Sequence, residues 1–137
     1  MEDKWPNQRY LKDKPCRRCG NIFTPTGPCS HYCSDLCREE GSRHRYLKRY
    51  YGLSLDEYNS MLEKQNHKCA ICLGEGFLMK EHYKMKLVVD HCHEGGQVRG
   101  LLCHNCNRGL GLFKDDPESL LRGVEYLKEG SETIRKE

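Results

Sequence analysis

The residues with the most chemical potential lie together in the stretch VVDHCHEGG, where an aspartate, two histidines and a cysteine occupy four consecutive positions. Carboxylates, imidazoles and thiols are the side chains that bind metal ions and move protons. In an extended strand His91 and His93 project to one face, whereas Asp90 and Cys92 project to the other. Because of this alternation, the sequence does not favour a zinc site made of these four residues alone.

A site divided between two elements fits these residues better. Asp90 comes near the end of an expected strand, and Asn107 lies in the helix that follows, one residue after Cys106. Carboxylate and amide oxygens are hard ligands that suit Mg²⁺ or Mn²⁺ better than zinc. A neutral histidine beside such an ion can take the proton from a water. This combination predicts a site that cleaves phosphodiester bonds, whereas the plainer interpretation is surface histidines on a hairpin.

Two CxxC pairs flank the cluster and help to decide between these interpretations. Cys69 and Cys72 in CAIC precede it, and Cys103 and Cys106 in CHNC follow it. Two such knuckles around an insertion are a strong sign of a zinc site. Between them KLVVDHCH predicts a strand, EGGQ a turn and VRGLLC a returning strand, and CHNCNRGLGLF predicts a short helix. This order of strand, turn, strand and helix, tied by zinc, favours a built site over surface histidines.

A second group of cysteines lies near the N-terminus, in CRRCGNIFTPTGPCSHYCSDLC. Cys16 and Cys19 form a CxxC pair, and Cys29, Cys33 and Cys37 compete for two further positions. The i, i+4 spacing favours Cys33 and Cys37, so we predict a tetrahedral structural zinc site with Cys29 left out. The alternative, five free buried cysteines, does not suit so polar a segment.

Composition agrees with zinc as the stabilising element of a small protein. Only 36% of the 137 residues are hydrophobic, so a conventional core would be thin. Ten cysteines could instead form a disulfide framework in a secreted protein. However, no apolar leader opens the chain, nothing approaches transmembrane length, and most cysteines are closely paired. We therefore expect a cytoplasmic location in bacteria or phage-infected cells, and no membrane partner.

Charge is distributed unevenly along the chain. Residues 1–52 carry eleven Lys and Arg against six Asp and Glu, whereas residues 53–137 carry twelve against fourteen. A basic helix, N-capped by Ser34, is predicted from Asp35 to about Tyr51. Its basic residues alternate with tyrosines and can neutralise phosphates, although a solvated basic face is the alternative. The candidate DNA-binding residues of this helix are Arg43, Arg45, Lys48 and Arg49.

Two further helices frame the second cysteine group. Ser54 and Glu57 form a capping box that begins an amphipathic helix. Asp116 and Pro117 begin a closing helix whose apolar repeat ends before Gly130. The expected divisions are an N-terminal zinc-binding module (1–40), basic and amphipathic linking helices (41–66), a core with its closing helix (67–130) and a frayed tail (131–137).

The stretch from CAIC to VVDHCHEGGQVRGLLCHNCNRGLGLFKDDPESLLRGVEYL closely resembles the recombination endonuclease VII family of phages and bacteria. That family belongs to the HNH, or His-Me finger (ββα-metal), nucleases. The preceding YGLSLDEYNSMLEKQNHKCAIC is similar to the family's lead-in, so the resemblance covers about residues 50–128. It implies a small zinc-stabilised α+β fold with a ββα-metal core and helical flanks. The N-terminal cysteines are similar to short zinc modules fused to phage nucleases, which we expect to supply DNA affinity.

The resemblance also implies a role for each candidate site residue. Asp90 and Asn107 would bind the catalytic divalent cation, and His91 would be the general base. His93 would assist by positioning or by contacting phosphate, and the cysteines of CAIC and CHNC would hold structural zinc. Charge adds Arg99 of the hairpin as a further phosphate contact. The implied products are a 5′-phosphate and a 3′-hydroxyl.

We therefore expect a metal-dependent DNA endonuclease of phage or bacterial DNA processing or recombination, acting as a monomer or homodimer. The expected cofactors are structural zinc at two sites and catalytic Mg²⁺ or Mn²⁺. A second hypothesis is a non-catalytic, zinc-stabilised DNA-binding module, and a third is a zinc-dependent protein-interaction domain.

Overall fold

The computed structural model describes residues 11–79 and 85–134, and the chain divides into two compact units, Met1–Ser60 and Met61–Glu137. The elements, in chain order, are β1 (Lys14–Pro15), β2 (Ile22–Phe23), α1 (Asp35–Tyr51), α2 (Leu55–Lys64), β3 (Leu87–His91), β4 (Val98–Cys103), α3 (His104–Leu112) and α4 (Pro117–Ile134). No helix within the described ranges is long and apolar enough to cross a membrane.

The first unit combines a very short antiparallel strand pair, β1 and β2, with the basic helix α1. Ser34 caps α1 as predicted, since its hydroxyl accepts a hydrogen bond of 3.2 Å from the Cys37 N–H. Gly52 ends the helix in the left-handed conformation, with a φ of 70° that glycine adopts without strain. The predicted bounds of this helix, Asp35 to Tyr51, are therefore confirmed.

A glycine inside α1 has a packing reason that its position in the sequence does not reveal. A Cβ on Gly41 would lie 2.5 Å from Cε1 of Tyr32, so the aromatic ring needs the bare backbone. The apolar residues Leu47, Leu55 and Tyr58 are buried in the same unit. The predicted capping box at the start of α2 is also present, with bonds of 2.6 and 3.1 Å between its two partners.

The second unit is built on the hairpin of β3 and β4, in which Leu87 pairs with Cys103. Leu87, Val89 and Leu101 are buried on its inner face. The pairing register shifts between Asp90 and His91: Asp90 pairs with Gly100 and His91 with Val98, so Arg99 is an extra residue that bulges β4 at the candidate site. Helix α3 begins directly after β4 and contacts both strands. The predicted order of strand, turn, strand and helix is confirmed.

One residue that the sequence did not single out fastens the lead-in of this unit to the hairpin. The amide group of Gln65 donates to the backbone oxygen of Leu101 and accepts from its N–H, both at 2.9 Å. It also donates to the Lys68 backbone oxygen at 2.9 Å. Gln65 therefore pairs with β4 much as a neighbouring strand would.

The closing helix starts as predicted but runs further. Asp116 accepts hydrogen bonds from the backbone N–H groups of Ser119 (3.1 Å) and Glu118 (3.2 Å), and Pro117 is the first helical residue. The expectation that the helix ends before Gly130 is wrong, because α4 continues to Ile134. One glycine inside a helix costs only about 1 kcal/mol relative to alanine, which the turns on either side can offset. Of the predicted frayed tail, residues 135–137 lie outside the described residues.

Candidate active site and zinc sites

The cysteines flanking the hairpin converge on one point. The sulfur atoms of Cys69, Cys72, Cys103 and Cys106 all lie within 4.8 Å of one another, and those of Cys72 and Cys103 are 3.7 Å apart. Zinc–sulfur bonds of about 2.3 Å in a tetrahedron place sulfurs about 3.8 Å apart. A disulfide requires about 2.05 Å instead. The cluster therefore fits a structural zinc ion.

The electrostatics of this cluster also suit a divalent cation. Burial alone would raise the pKa of Cys69, but backbone N–H groups of Cys103, Cys72 and Ile71 lower it to about 6. Burial and the neighbouring thiols raise the pKa of Cys106 to about 12. Repulsion among the thiolates thus opposes their ionisation, and a bound zinc ion would offset it by neutralising their charge together.

The N-terminal cysteines form a comparable cluster. Sulfur distances are 3.6 Å from Cys19 to Cys33 and 3.6 Å from Cys33 to Cys37, and Cys16 completes the group. Backbone N–H groups outweigh burial and lower the pKa of Cys16 to about 6. Cys29 is exposed and lies outside the group. All ten cysteines lie in the described residues, and none forms a disulfide.

Asp90 lies opposite the bulge of β4 and is only 7% exposed, the one charged residue buried within the described ranges. Arg99, which the sequence suggested as a phosphate contact, donates from Nε to Asp90 Oδ2 at 2.7 Å and from Nη2 to Oδ1 at 3.0 Å. The Asp90 hydrogen bonds raise the pKa of Arg99 above its ordinary value. An ionised carboxylate has about four acceptor positions, so two remain for a cation.

The two histidines of the cluster lie side by side, although β3 ends at His91 and His93 lies in the turn. The ring centroids of His91 and His93 are 5.1 Å apart. His91 is half-buried beside Asp90 at the end of β3, whereas His93 is largely exposed in the turn. Nε2 of His93 lies 3.5 Å from Oδ2 of Asp115, a residue that the sequence did not suggest.

Asp115 enters the site from the segment between α3 and α4. Its Oδ2 lies 3.4 Å from Nη2 of Arg99, so the same oxygen approaches both basic groups. A cleft of about 390 Å³ opens here between the hairpin turn and this segment. It is lined by Cys92, His93, Glu94, Arg99, Gly111, Lys114 and Asp115. The only sequence signal was a second aspartate directly before the helix-capping one, in KDDP.

Asn107 is carried by the first turn of α3, on an element that contacts β3. The start of that helix is held by the cysteine cluster, because Cys103 ends β4 and its sulfur accepts a hydrogen bond of 3.4 Å from the Cys106 N–H. The cluster thereby sets where α3 begins relative to β4. Asn107 is half-buried, and its amide oxygen is a suitable ligand for a hard cation.

The basic residues of α1 belong to the other unit and have local partners. Arg45 donates to the Tyr32 hydroxyl and Ser42 Oγ, both at 3.2 Å. Lys48 donates to the Gly52 carbonyl at 3.2 Å, and Arg49 lies 5.6 Å from the centre of the Tyr50 ring. These contacts stabilise the helix and its C-terminal end, where positive charge is favourable.

Comparison with known proteins agrees with this architecture. The family model for recombination endonuclease VII matches residues 43–129. The Gene 59 protein of Mycobacterium phage D29 is 33% identical over 131 residues, covering 88% of this chain and 76% of that protein. The Gene 59 protein of Mycobacterium phage L5 is 34% identical over 130 residues, covering 87% and 76%.

Among solved structures, the chain is similar to the crystal structure of the ββα-Me type II restriction endonuclease Hpy99I. The identity is 26% and the TM-score is 0.38, with 87% of this chain and 57% of that chain covered. This chain therefore spans somewhat more than half the length of that structure.

A hairpin followed by a helix, with a four-cysteine cluster at its base, defines a small α+β protein with a ββα core. Within that class, the chain belongs to the recombination endonuclease VII family. Membership supports a nuclease that acts on DNA.

Proposed function

We propose that this protein hydrolyses DNA phosphodiester bonds with one divalent cation and His91 as the general base. The observation that carries the proposal is the buried carboxylate of Asp90, which lies opposite the bulge of β4 and directly beside His91 in a ββα unit of this family. A buried charge is costly, and Arg99 offsets part of that cost, so the place of this ion pair beside His91 in a nuclease family supports a functional role.

The residues around Asp90 fit a hard cation. Asp90 and Asn107 would hold Mg²⁺ or Mn²⁺ through oxygen atoms, and Arg99 leaves two carboxylate acceptor positions unused. When bound, the cation supplies positive charge for the scissile phosphate and the departing oxygen. The cysteine clusters, whose thiolates are soft ligands, would hold zinc and take no part in the reaction.

The protein's own groups account for the remaining steps. His91 would take the proton of the attacking water. Attack by this water on the phosphorus would break the bond to the 3′ oxygen and leave a 5′-phosphate and a 3′-hydroxyl. His93 and Arg99 border the cleft beside it and would contact phosphate oxygens. The exposed basic residues of α1 would contact the DNA backbone at other phosphates. Because both similar phage proteins come from mycobacteriophages, we propose a role in phage DNA processing.

One observation favours a second function. Arg99 occupies both oxygens of Asp90, an arrangement that would also suit a non-catalytic DNA-binding module with a structural ion pair. The two functions both involve DNA and zinc, so neither DNA binding nor zinc content separates them. Cleavage does.

The test is cleavage of supercoiled plasmid with Mg²⁺ and with Mn²⁺. His91→Ala should lower the rate at least about 100-fold, because general bases contribute roughly 10²–10⁴-fold. Asn107→Ala should also abolish activity while keeping zinc and fold. The matched control is His67→Ala, an exposed histidine of the same unit, which should cleave like wild type. Wild-type protein that leaves plasmid intact with both metals would favour the binding module.

A further inference from the structure

We propose that Asp115 is a positioning residue of the cleavage site, which holds His93 and Arg99 toward the DNA phosphate. This inference rests on the proposed nuclease function and adds to it a residue outside the DHCH cluster and the zinc knuckles. Its basis is the meeting of one carboxylate oxygen with two basic side chains at the edge of the cleft.

The geometry makes Asp115 the link between the two sides of the site. Its Oδ2 lies 3.5 Å from Nε2 of His93 on the turn and 3.4 Å from Nη2 of Arg99 on β4. Nη2 of Arg99 also donates to Asp90 at 3.0 Å, so the guanidinium lies between two carboxylates. Asp115 is the only carboxylate that the described residues place within ion-pair distance of both His93 and Arg99.

The backbone of this segment is also unusual. Lys114 and Asp115 have φ angles of 56° and 54°, two consecutive non-glycine residues in the left-handed region. Hydrogen bonds from their N–H groups to Gly111 (3.0 Å) and Leu110 (2.9 Å) hold the conformation. Side chains in this region are rare and cluster at functional sites, where the surrounding structure compensates the strain. The conformation turns the Asp115 carboxylate toward the hairpin.

The neighbouring residue, Asp116, has a different role, which makes it a matched control for Asp115. Asp116 accepts hydrogen bonds from Ser119 and Glu118 and thereby begins α4. Those bonds lower its pKa, with the Ser119 side chain as the main cause. Asp116 therefore accounts for the helix cap, and the capping requirement does not explain Asp115.

A carboxylate in a cleft that receives DNA also has an electrostatic cost, because it repels phosphate. If Asp115 contributed only to DNA affinity, its loss would tighten binding and leave the reaction unchanged. If it orients His93 and Arg99, its loss slows the chemical step while affinity stays equal or improves. The two roles therefore predict different changes in the rate and the dissociation constant.

The experiment compares Asp115→Asn with Asp116→Asn in the zinc-loaded full chain. Asparagine has nearly the same shape and accepts a left-handed φ readily, so the change removes the charge and replaces one acceptor oxygen by an NH2 donor without disturbing the backbone. We expect the single-turnover cleavage rate at saturating DNA to fall about ten-fold for Asp115→Asn, with the Kd for DNA unchanged or lower. Asp116→Asn should keep the wild-type rate. In a His93→Ala background, adding Asp115→Asn should lower the rate less than about three-fold.

A second measurement does not depend on cleavage. The imidazole ¹⁵N resonances of His93 should differ between wild type and Asp115→Asn, because the Asp115 carboxylate lies 3.5 Å from Nε2 and influences the tautomer of the ring. Identical resonances, or an unchanged single-turnover rate, would overturn the positioning role. If the resonances differ between the two proteins but the wild-type protein cleaves no DNA, the contact between Asp115 and His93 stands and the nuclease proposal fails.

Discussion

The two four-cysteine clusters have similar sulfur geometry, but they organise very different amounts of structure. The N-terminal cluster gathers ligands from 22 consecutive residues and holds a two-residue strand pair against the start of α1. The second cluster closes around the whole β3–β4 hairpin, since Cys72 and Cys103 lie on either side of it. The same set of four cysteine ligands thus links neighbouring segments in the first unit, whereas it forms the base of the candidate active site in the second.

The difference depends on whether a cysteine of the cluster also caps the helix that follows it. In the first unit a separate residue, Ser34, caps α1. In the second unit Cys103 ends β4, caps α3 and belongs to the cluster at once. Strand, helix and zinc site therefore share Cys103, and the candidate ligand Asn107 follows four positions later in the helix. We conclude that disturbing the second cluster must disturb the active site, whereas disturbing the first need not.

The largest expected effect comes from Cys103→Ser. Since the unit buries few large apolar side chains, zinc ligation stands in for a larger core. We expect loss of one zinc ion, unfolding of the hairpin and α3, and complete loss of cleavage. Zinc stoichiometry, circular dichroism and plasmid cleavage measure these changes. A Cys103→Ser protein that still cleaves DNA would contradict the shared role of this residue.

An intermediate effect is expected from Cys33→Ser in the first cluster. One zinc ion should again be lost, but the single-turnover rate at saturating DNA should stay within about three-fold of wild type. The Kd for DNA should rise about ten-fold, because α1 loses the anchor of its N-terminal end and its phosphate contacts become disordered. The matched control is Cys29→Ser, which lies outside the cluster and should retain both zinc ions. Simultaneous loss of both ions would show that the clusters do not act separately.

The smallest effect is expected from neutralising exposed charge on α1. Lys48→Gln with Arg49→Gln should lower the slope of log K against log salt by about two, because each phosphate contact contributes roughly 0.9. The cleavage rate at saturating DNA should not change. Arg122→Gln on α4, an equally exposed arginine, is the control and should leave the slope as it is. An unchanged slope in the double variant would favour an ordinary solvated basic face on α1.

Local signals predicted much of the fold correctly. The cap at Ser34, the capping box of α2, the hairpin and the start of α4 all depend on residues a few positions apart. Such features are decided by backbone hydrogen bonding within one or two turns, so a sequence pattern suffices to find them. The helix stop before Gly130 was wrong because a single glycine is a weak signal against the rest of α4.

Contacts between distant segments could not be predicted in the same way. Gln65 pairs with Leu101 across 36 positions, and Gly41 is needed by the ring of Tyr32. Asp115 reaches His93 and Arg99 only because α3 folds back onto the hairpin. None of these residues has a type or spacing that indicates its partner.

The sequence by itself determined which cysteines cluster and which residue types surround the candidate cation site, because ligand chemistry and close spacing are local properties. Only the tertiary structure decided that Arg99 pairs with Asp90 and that Asp115 joins the site. The physical reason is that these ion pairs depend on the bulge of β4 at Arg99 and on the turn after α3, whose combined geometry no single segment encodes.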